Sequence, residues 1–446
     1  MTIVALILVG AASGARATGP AKGGGNGPEI IIFALFDATR ADHLSAYGYG
    51  RPTSPTVDRL TATGRRFNRT YSNAPWTRPS TTSFLTGLNT SRHRTETDAA
   101  KLPADVPTLA ERLGRAGWHT AGFTANGHAG SMAALQRGFD VFEDPTRTYV
   151  RGSRGTPYLN GLPTGDFLVA HALAHLQNDR HDKVFIYLFL VDAHDPYEAA
   201  PTLEKMFLGN FTGTLRRRAL WETNNDYPAD ERFSMMAIYD AGIRAADQAL
   251  GTFLTGVAEL KRFKRTTVVV SADHGEGFGE HKFYLHAHHF WDEVIHIPLV
   301  INGPGWTPGV DDRLSDSLDV TATLAQLAGA PHGDLPGHDL AAPAVPDKQV
   351  ISEYNEYGIH RQAILGGHQK VIWQRPADEA WFMRTAKNKA FFPSVVFGSE
   401  TVVAYDMAAD PAERQPRSPP LAPAQEDLLQ QLRRFVAAAP APLPHL

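Results

Sequence analysis

The sequence predicts an α/β fold: a mainly parallel central sheet with helices on both faces, plus a small C-terminal α+β domain with an antiparallel sheet. Three observations lead there. Continuous apolar runs such as Glu29-Ile-Ile-Ile-Phe-Ala-Leu-Phe36 and Val184–Val191 suit strands buried on both faces. Helical patterns separate these runs, the alternation expected of crossover connections. Beyond about residue 340 the texture changes to short strands at close spacing.

Taken in order, residues 2–12 are apolar but too short to span a bilayer. Ala15-Arg16-Ala17 offers a small-x-small cleavage site, so residues 1–17 read as a signal peptide, although without a basic n-region. A Gly/Pro-rich linker (18–28) follows, then a catalytic domain (29–339) and a C-terminal α+β subdomain (340–446). The chain is therefore expected to be exported, to the periplasm or the extracellular medium. No other stretch reaches membrane-spanning length, so no stable span is expected after cleavage.

The first buried strand ends at Asp37, at the carboxyl edge where open α/β sheets bind ligands. Ser54-Pro55 starts a helix through Leu60. The stretch Ala74-Pro75-Trp76-Thr77-Arg78-Pro79-Ser80 then turns from loop into a short helix. Pro79 is tolerated in a first turn, and Gly87 suits the stop. A helix over Val106–Ala116 precedes a strand Thr120–Thr124, with Asn126 and Gly127 in the loop behind it. Helix Asp166–Leu176 leads to strand Val184–Val191, which ends in Asp192-Ala193-His194-Asp195-Pro196-Tyr197. After a surface excursion (201–227) a long helix covers Asp230–Gly256. Strand Thr266–Ser271 closes on Asp273-His274-Gly275-Glu276, and strand Ile297–Ile301 ends at Gly303-Pro304-Gly305. Helix Asp319–Leu327 and a proline-marked linker lead to strands Gln349–Glu353, Gln362–Leu365, Gln369–Trp373 and Val402–Tyr405, with a last helix near Gln425–Ala438.

Composition narrows the chemistry. A net charge of −4, from 43 basic and 47 acidic residues mixed along the chain, gives no footprint for nucleic acid. Cysteine is absent, which excludes disulfides, thiolate zinc sites and a cysteine nucleophile. Asp37, Asp273 and His274 are residue types that hold a divalent metal, and the Thr77 hydroxyl would complete the shell. At the positive end of a helix, Thr77 is either an ordinary cap or a hydroxyl placed to attack a bound anionic ester.

These pieces together resemble the sulfatase family within the alkaline phosphatase superfamily. The resemblance rests on Phe36-Asp37-Ala38-Thr39-Arg40-Ala41-Asp42-His43, Thr77-Arg78-Pro79-Ser80 with Leu85-Thr86-Gly87, and Asp192-Ala193-His194-Asp195-Pro196-Tyr197. It continues through Asp273-His274-Gly275-Glu276-Gly277-Phe278-Gly279-Glu280-His281 and Tyr405-Asp406-Met407-Ala408-Ala409-Asp410-Pro411. It implies a single-metal site with Asp37, Asp273 and His274 as ligands and Thr77 as a metal-facing nucleophile. His194 and His286, by family position, would protonate the leaving group or touch substrate. Arg78 is either a contact to a phosphoryl oxygen or a solvated surface arginine, and Arg40 a structural partner of Asp42 or of a loop carbonyl. The histidines His281, His286, His288 and His289 form either a second-metal patch or a packed polar loop.

The departures set the chemistry apart. Sulfatases carry a cysteine or serine at the position of Thr77 and oxidise it to formylglycine. Threonine cannot give that aldehyde, because its β-carbon bears a methyl group. Thr81 replaces the arginine that steadies formylglycine, and Ala38 replaces the second aspartate of a common pair. The expectation is a metal-dependent ester hydrolase without formylglycine, working through a covalent intermediate on Thr77. Phosphate mono- or diesters are favoured over sulfate esters, in a small-molecule, glycan or lipid-type substrate. One divalent ion is expected, with zinc or manganese favoured over calcium by the Asp/Asp/His/Thr donor set. The alternatives are a sulfatase proper, a phosphoethanolamine-type transferase, and a non-catalytic binding protein of the same fold. No protein partner is readable.

Overall fold

A computed structural model of the chain describes residues 27–144, 158–159, 162–217, 226–261, 263–377, 379, 382–383 and 397–440. The expected leader and all but the end of the linker lie outside the described residues. Among the described residues no helix is long and apolar enough to cross a membrane.

The main sheet has eight strands: β1 (Ile30–Phe36), β2 (Arg65–Tyr71), β3 (His119–Thr124), β4 (Val141–Glu143), β5 (Val184–Leu190), β6 (Thr266–Ala272), β7 (His296–Asn302) and β8 (Gly309–Asp316). Their order is β8-β2-β7-β6-β1-β5-β3-β4. Pairing is parallel throughout except around β7, which runs antiparallel to β6 and β2. Strand β1 shows why a continuous apolar run is needed. Ile30, Ile32, Ala34 and Phe36 enter one core, and Ile31, Phe33 and Leu35 enter the other. Helices Gly165–Asn178 and Ala229–Glu259 cover the first face, and Thr77–Thr86, Leu109–Arg115 and Ser317–Ala328 cover the second. Capping boxes start two of these helices, Thr108 with Glu111 and Asp316 with Asp319.

Three strands of the main sheet have no counterpart in the sequence reading: β2, the three-residue β4, which is partly exposed throughout, and β8. The β2 residues Arg65, Arg66, Asn68 and Arg69 are partly exposed, and the start of β8 lies open at the sheet edge. Half-solvated strands break the apolar run that marks their central neighbours. The strands and helices that the sequence predicts form where expected, with ends shifted by a few residues.

Four antiparallel strands make the C-terminal sheet in sequential order: β9 (Gln349–Glu356), β10 (Ile359–Gly366), β11 (Gln369–Gln374) and β12 (Thr401–Asp406). Helix Pro423–Ala437 packs Leu428, Leu429 and Leu432 against Ile364, Val371 and Val402. The rest of this sheet shares a core with the main body, where Val350, Tyr354 and Ile359 meet Tyr71, Trp76 and Phe290. Trp76 immediately precedes Thr77, so this joint helps to hold helix Thr77–Thr86.

Polar groups also cross the joint. Lys370 of β11 is fully buried and its Nζ lies 2.6 Å from Asp292 Oδ1 and 2.8 Å from Glu413 Oε1. Removing one member of a buried ion group leaves the others uncompensated, typically a loss of about 3–5 kcal/mol. Lys370→Met should therefore lower unfolding stability by about that much in denaturant titration. Nearby, burial and Glu353 push the Glu96 carboxyl up to about 8, and burial does the same for Glu356. A carboxyl with a raised folded-state pKa keeps its proton in the fold after the unfolded chain has lost it. Stability then falls as pH rises from about 4.5 to 8. Glu96→Gln should flatten that fall, giving a melting temperature at pH 8 above that of the unsubstituted chain.

Candidate active site

Register brings the site together. Phe36 at the end of β1 pairs with Ala272 of β6 and with Leu190 of β5. The next residues of all three strands therefore leave the carboxyl edge side by side, carrying Asp37, Asp273-His274 and the Val191–His194 turn. Asp37, Asp273 and His274 are wholly buried, and one ligand atom from each lies within 4.8 Å of the other two.

The donors point inward because their other atoms are tied down. Asp273 Oδ1 accepts from the N–H of Ala38 at 3.1 Å and of His274 at 2.9 Å. Ala38 takes the left-handed region (φ 49) to make this contact. Asp37 Oδ2 accepts from Asn126 Nδ2 at 3.0 Å. His274 Nδ1 lies 2.9 Å from the Gly275 carbonyl, so Nδ1 carries the proton and Nε2 faces the site. What remains is Asp37 Oδ1 and Asp273 Oδ2, buried and without hydrogen-bond partners, beside the His274 lone pair. Two orphaned carboxylate oxygens and an imidazole nitrogen in a buried site fit a divalent cation. Burial and mutual repulsion push Asp37 up to about 6, and burial pushes Asp273 to about 7 and His274 down to about 3. These are the shifts a cation would reverse.

Thr77 is the first residue of helix Thr77–Thr86, with Trp76 at the cap position, and its side chain makes no capping bond. Oγ1 instead lies 3.2 Å from His274 Nε2. The helix is seated by Ser80, whose Oγ donates to the Asp273 carbonyl at 2.6 Å. It ends at Gly87, whose φ of 73 is one that glycine adopts freely. The Ser80 N–H closes onto the Trp76 carbonyl at 3.3 Å, so the N–H groups of Thr77 and Arg78 lie at the open helix end. Thr81 folds its hydroxyl back onto the Thr77 carbonyl at 2.7 Å.

The two histidines separate in character. Burial opposes charge on His194, but Asp37 and Glu276 outweigh it and raise its pKa above the usual value. Burial and His194 hold His286 well below it. His286 sits between His274 and His194, tilted against the first and edge-on to the second at 4.3 and 5.2 Å between ring centres, and its Nδ1 is 2.9 Å from Glu276 Oε1. His194 is therefore the more readily protonated of the two.

Arg78 is buried, not solvated. Its Nε and Nη2 lie 3.1 and 3.0 Å from His128 Nδ1, and Nη1 donates to the Ala100 carbonyl at 2.7 Å. Arg40 pairs with Asp42 through two bonds of 2.8 and 2.7 Å, and with Glu280. His281 is held by Glu293 and stacked on Trp291, and His289 stacks on the same ring. His288 packs edge-on against Tyr354. These histidines serve packing.

The sequence reading gave no role to Asn126, His128 or Glu276. Asn126 binds Asp37 through Nδ2 and the His128 N–H through Oδ1 at 2.9 Å, so the turn after β3 braces a candidate ligand. Its place beyond the carboxyl end of a central strand was the available signal.

Comparison with known proteins agrees with this architecture. The sequence profile of the sulfatase family matches residues 29–330. A choline-sulfatase of Rhizobium meliloti is 25% identical over 358 residues, covering 68% of each chain. Human arylsulfatase A is 24% identical, covering 92% of this chain and 87% of its own. Among solved structures, one in complex with its substrate D-glucosamine-2-N,6-O-disulfate superposes with a TM-score of 0.73 at 19% identity, covering 92% of this chain and 98% of its own. The phosphonate monoester hydrolase of Agrobacterium radiobacter gives a TM-score of 0.70 at 18% identity, covering 92% and 95%.

Proposed function

The chain belongs to the sulfatase family and is a sulfatase-like ester hydrolase, and we propose that it cleaves phosphate mono- or diesters through a covalent intermediate on Thr77. The observation that carries this reading is the threonine hydroxyl 3.2 Å from His274 Nε2, at the mouth of a donor set with two orphaned carboxylate oxygens. Asp37, Asp273, His274 and Thr77 would hold one divalent ion, zinc or manganese before calcium, since a nitrogen donor and few oxygens suit those metals. When bound, such an ion would favour the ionised Thr77 hydroxyl and draw charge from the non-bridging oxygens of the ester.

Thr77 gives up its proton to solvent, and Oγ1 attacks phosphorus in line with the ester oxygen. The new O–P bond forms as the bond to the alcohol breaks, and His194 donates a proton to the departing oxygen. His194, now neutral, takes a proton from water, whose oxygen attacks phosphorus and releases the Thr77 oxygen, together with phosphate from a monoester or a phosphate monoester from a diester. The N–H groups of Thr77 and Arg78 face the anion at the helix end. Arg78 acts here by fixing His128 at the rim. Export directed by the N-terminal leader belongs to the same proposal.

The relatives include proteins named for sulfate esters and others named for phosphonate monoesters. Sulfuryl transfer to Thr77 is therefore the competing reading. A panel of aryl sulfate, phosphate monoester, phosphate diester and phosphonate ester, each with zinc, manganese and calcium, tests it. Accurate mass of the trapped Thr77 peptide decides between a phosphoryl and a sulfuryl adduct.

A further inference from the structure

A second convergence of ligand atoms lies at the amino end of β3, at the opposite edge of the sheet from Thr77. His119 opens that strand, His175 sits in the last turn of helix Gly165–Asn178, and Asp179 caps the helix. His119 Nε2 is 3.2 Å and His175 Nε2 is 3.7 Å from Asp179 Oδ2, and one ligand atom from each residue lies within 4.8 Å of the others. His181 brings Nδ1 to 3.2 Å from the same oxygen. Tetrahedral zinc with bonds of about 2.0–2.1 Å holds neighbouring donors about 3.3 Å apart. The two histidine–carboxylate separations are close to that size.

Three further features point to a cation rather than a plain charge cluster. His175 Nε2 is buried and makes no hydrogen bond, although it faces a carboxylate oxygen. His119 Nδ1 lies 3.3 Å from Asp140 Oδ2, the arrangement by which a carboxylate orients a ligand imidazole and leaves Nε2 unprotonated. Asp179 Oδ1 is engaged by the His181 N–H at 2.8 Å, which fixes Oδ2 toward the histidines. A cavity of about 480 Å³, lined by Glu143, His171, His175 and Asp179, opens beside the group and gives an ion access.

We infer that His119, His175 and Asp179 bind a divalent ion of the zinc class, with His181 or water as fourth donor. Two imidazoles and one carboxylate select late first-row ions over calcium and magnesium. Strand β3 separates this site from the Asn126 turn by roughly 15–20 Å, at about 3.3 Å per residue. Its role is to tie the end of helix Gly165–Asn178 to the start of β3, not to act on substrate.

The test uses the full chain stripped with EDTA and then given Zn²⁺ alone, in an Asp37→Asn/His274→Gln background that disables the catalytic donors. Titration calorimetry should find one equivalent of zinc remaining, and the melting temperature should rise by several degrees at saturation. Adding His175→Ala should weaken that binding at least 100-fold and remove the rise, with the circular dichroism spectrum unchanged. His175→Ala alone should leave turnover of the metal-loaded enzyme unaltered. No zinc bound in the background variant, or binding undiminished by His175→Ala, overturns the inference. If His175→Ala fails to fold, Co²⁺ bound to the background variant decides: a four-coordinate visible spectrum supports the site and a six-coordinate one overturns it.

Discussion

Thr77→Ala should abolish turnover, lowering kcat by roughly 10³-fold or more on the best substrate, because the atom that forms the covalent bond is gone. The fold should survive. The Thr77 hydroxyl does not cap its helix, and its hydrogen bond is to His274, so its loss should cost stability only about 1 kcal/mol. Asp37, Asp273 and His274 keep their own anchors to Asn126, Ala38 and Gly275, so most metal affinity should remain. Thr77→Val, which keeps the branched shape without the hydroxyl, should behave like the alanine variant. Steady-state kinetics with metal analysis of both variants checks this. Turnover within tenfold of the unsubstituted enzyme would remove Thr77 as nucleophile and leave attack by water on the ester.

An ester on threonine lacks the geminal hydroxyl through which a formylglycine hydrate expels its sulfate, so it must be opened by water. On the proposed mechanism that requirement would put His194 at the centre of the second step. Its raised pKa makes it a good donor when the alcohol leaves and a willing acceptor when water attacks. His286, held neutral by burial and tied to Glu276, is better suited to fixing the ring positions around it.

Much of this site was legible because parallel sheets concentrate it. Apolar runs locate β1, β5 and β6, and in such a sheet the residues just past their carboxyl ends must be neighbours, which identifies Asp37, Asp273, His274 and His194 together. Strands β2 and β8 were not legible, because arginines and an exposed edge erase the apolar run. The contacts of Asn126 and Glu276 were not, because they depend on how these side chains turn toward Asp37 and His286, a matter of a single rotamer. The burial of Arg78 was equally hidden: an arginine after the nucleophile reads as surface or substrate contact until His128 and the Ala100 carbonyl are seen around it. The second histidine group was missed for a different reason. His119, His175 and Asp179 meet only when a helix end folds back on a strand start, a contact with no sequence spacing of its own.

Asp273→Asn should move activity and stability in opposite directions. The amide oxygen can still accept from the N–H groups of Ala38 and His274, so the turn keeps its shape. The group facing His274 Nε2, now at 3.3 Å, becomes uncharged. A donor set that loses one of two carboxylates should bind its cation at least 100-fold more weakly, and turnover should fall by roughly 10²–10³-fold at fixed metal concentration. Stability of the metal-free chain should change the other way. Burial raises the Asp273 pKa from 3.8 to about 7, so between those values the folded chain holds a proton that the unfolded chain has released. Stability of the metal-free protein therefore falls as pH rises through that window, and asparagine, with no proton to lose, escapes the fall. At pH 8 the EDTA-treated variant should melt above the EDTA-treated parent, and at pH 4 the two should converge. Added zinc should raise the parent's melting temperature while shifting the variant far less, since only binding to the folded state stabilises it. Differential scanning calorimetry at the two pH values, with and without metal, reads all four outcomes. A variant less stable than the parent at pH 8 without metal would mean that Asp273 is held by its hydrogen bonds rather than strained by burial, and that the site does not store the charge a cation is needed to neutralise.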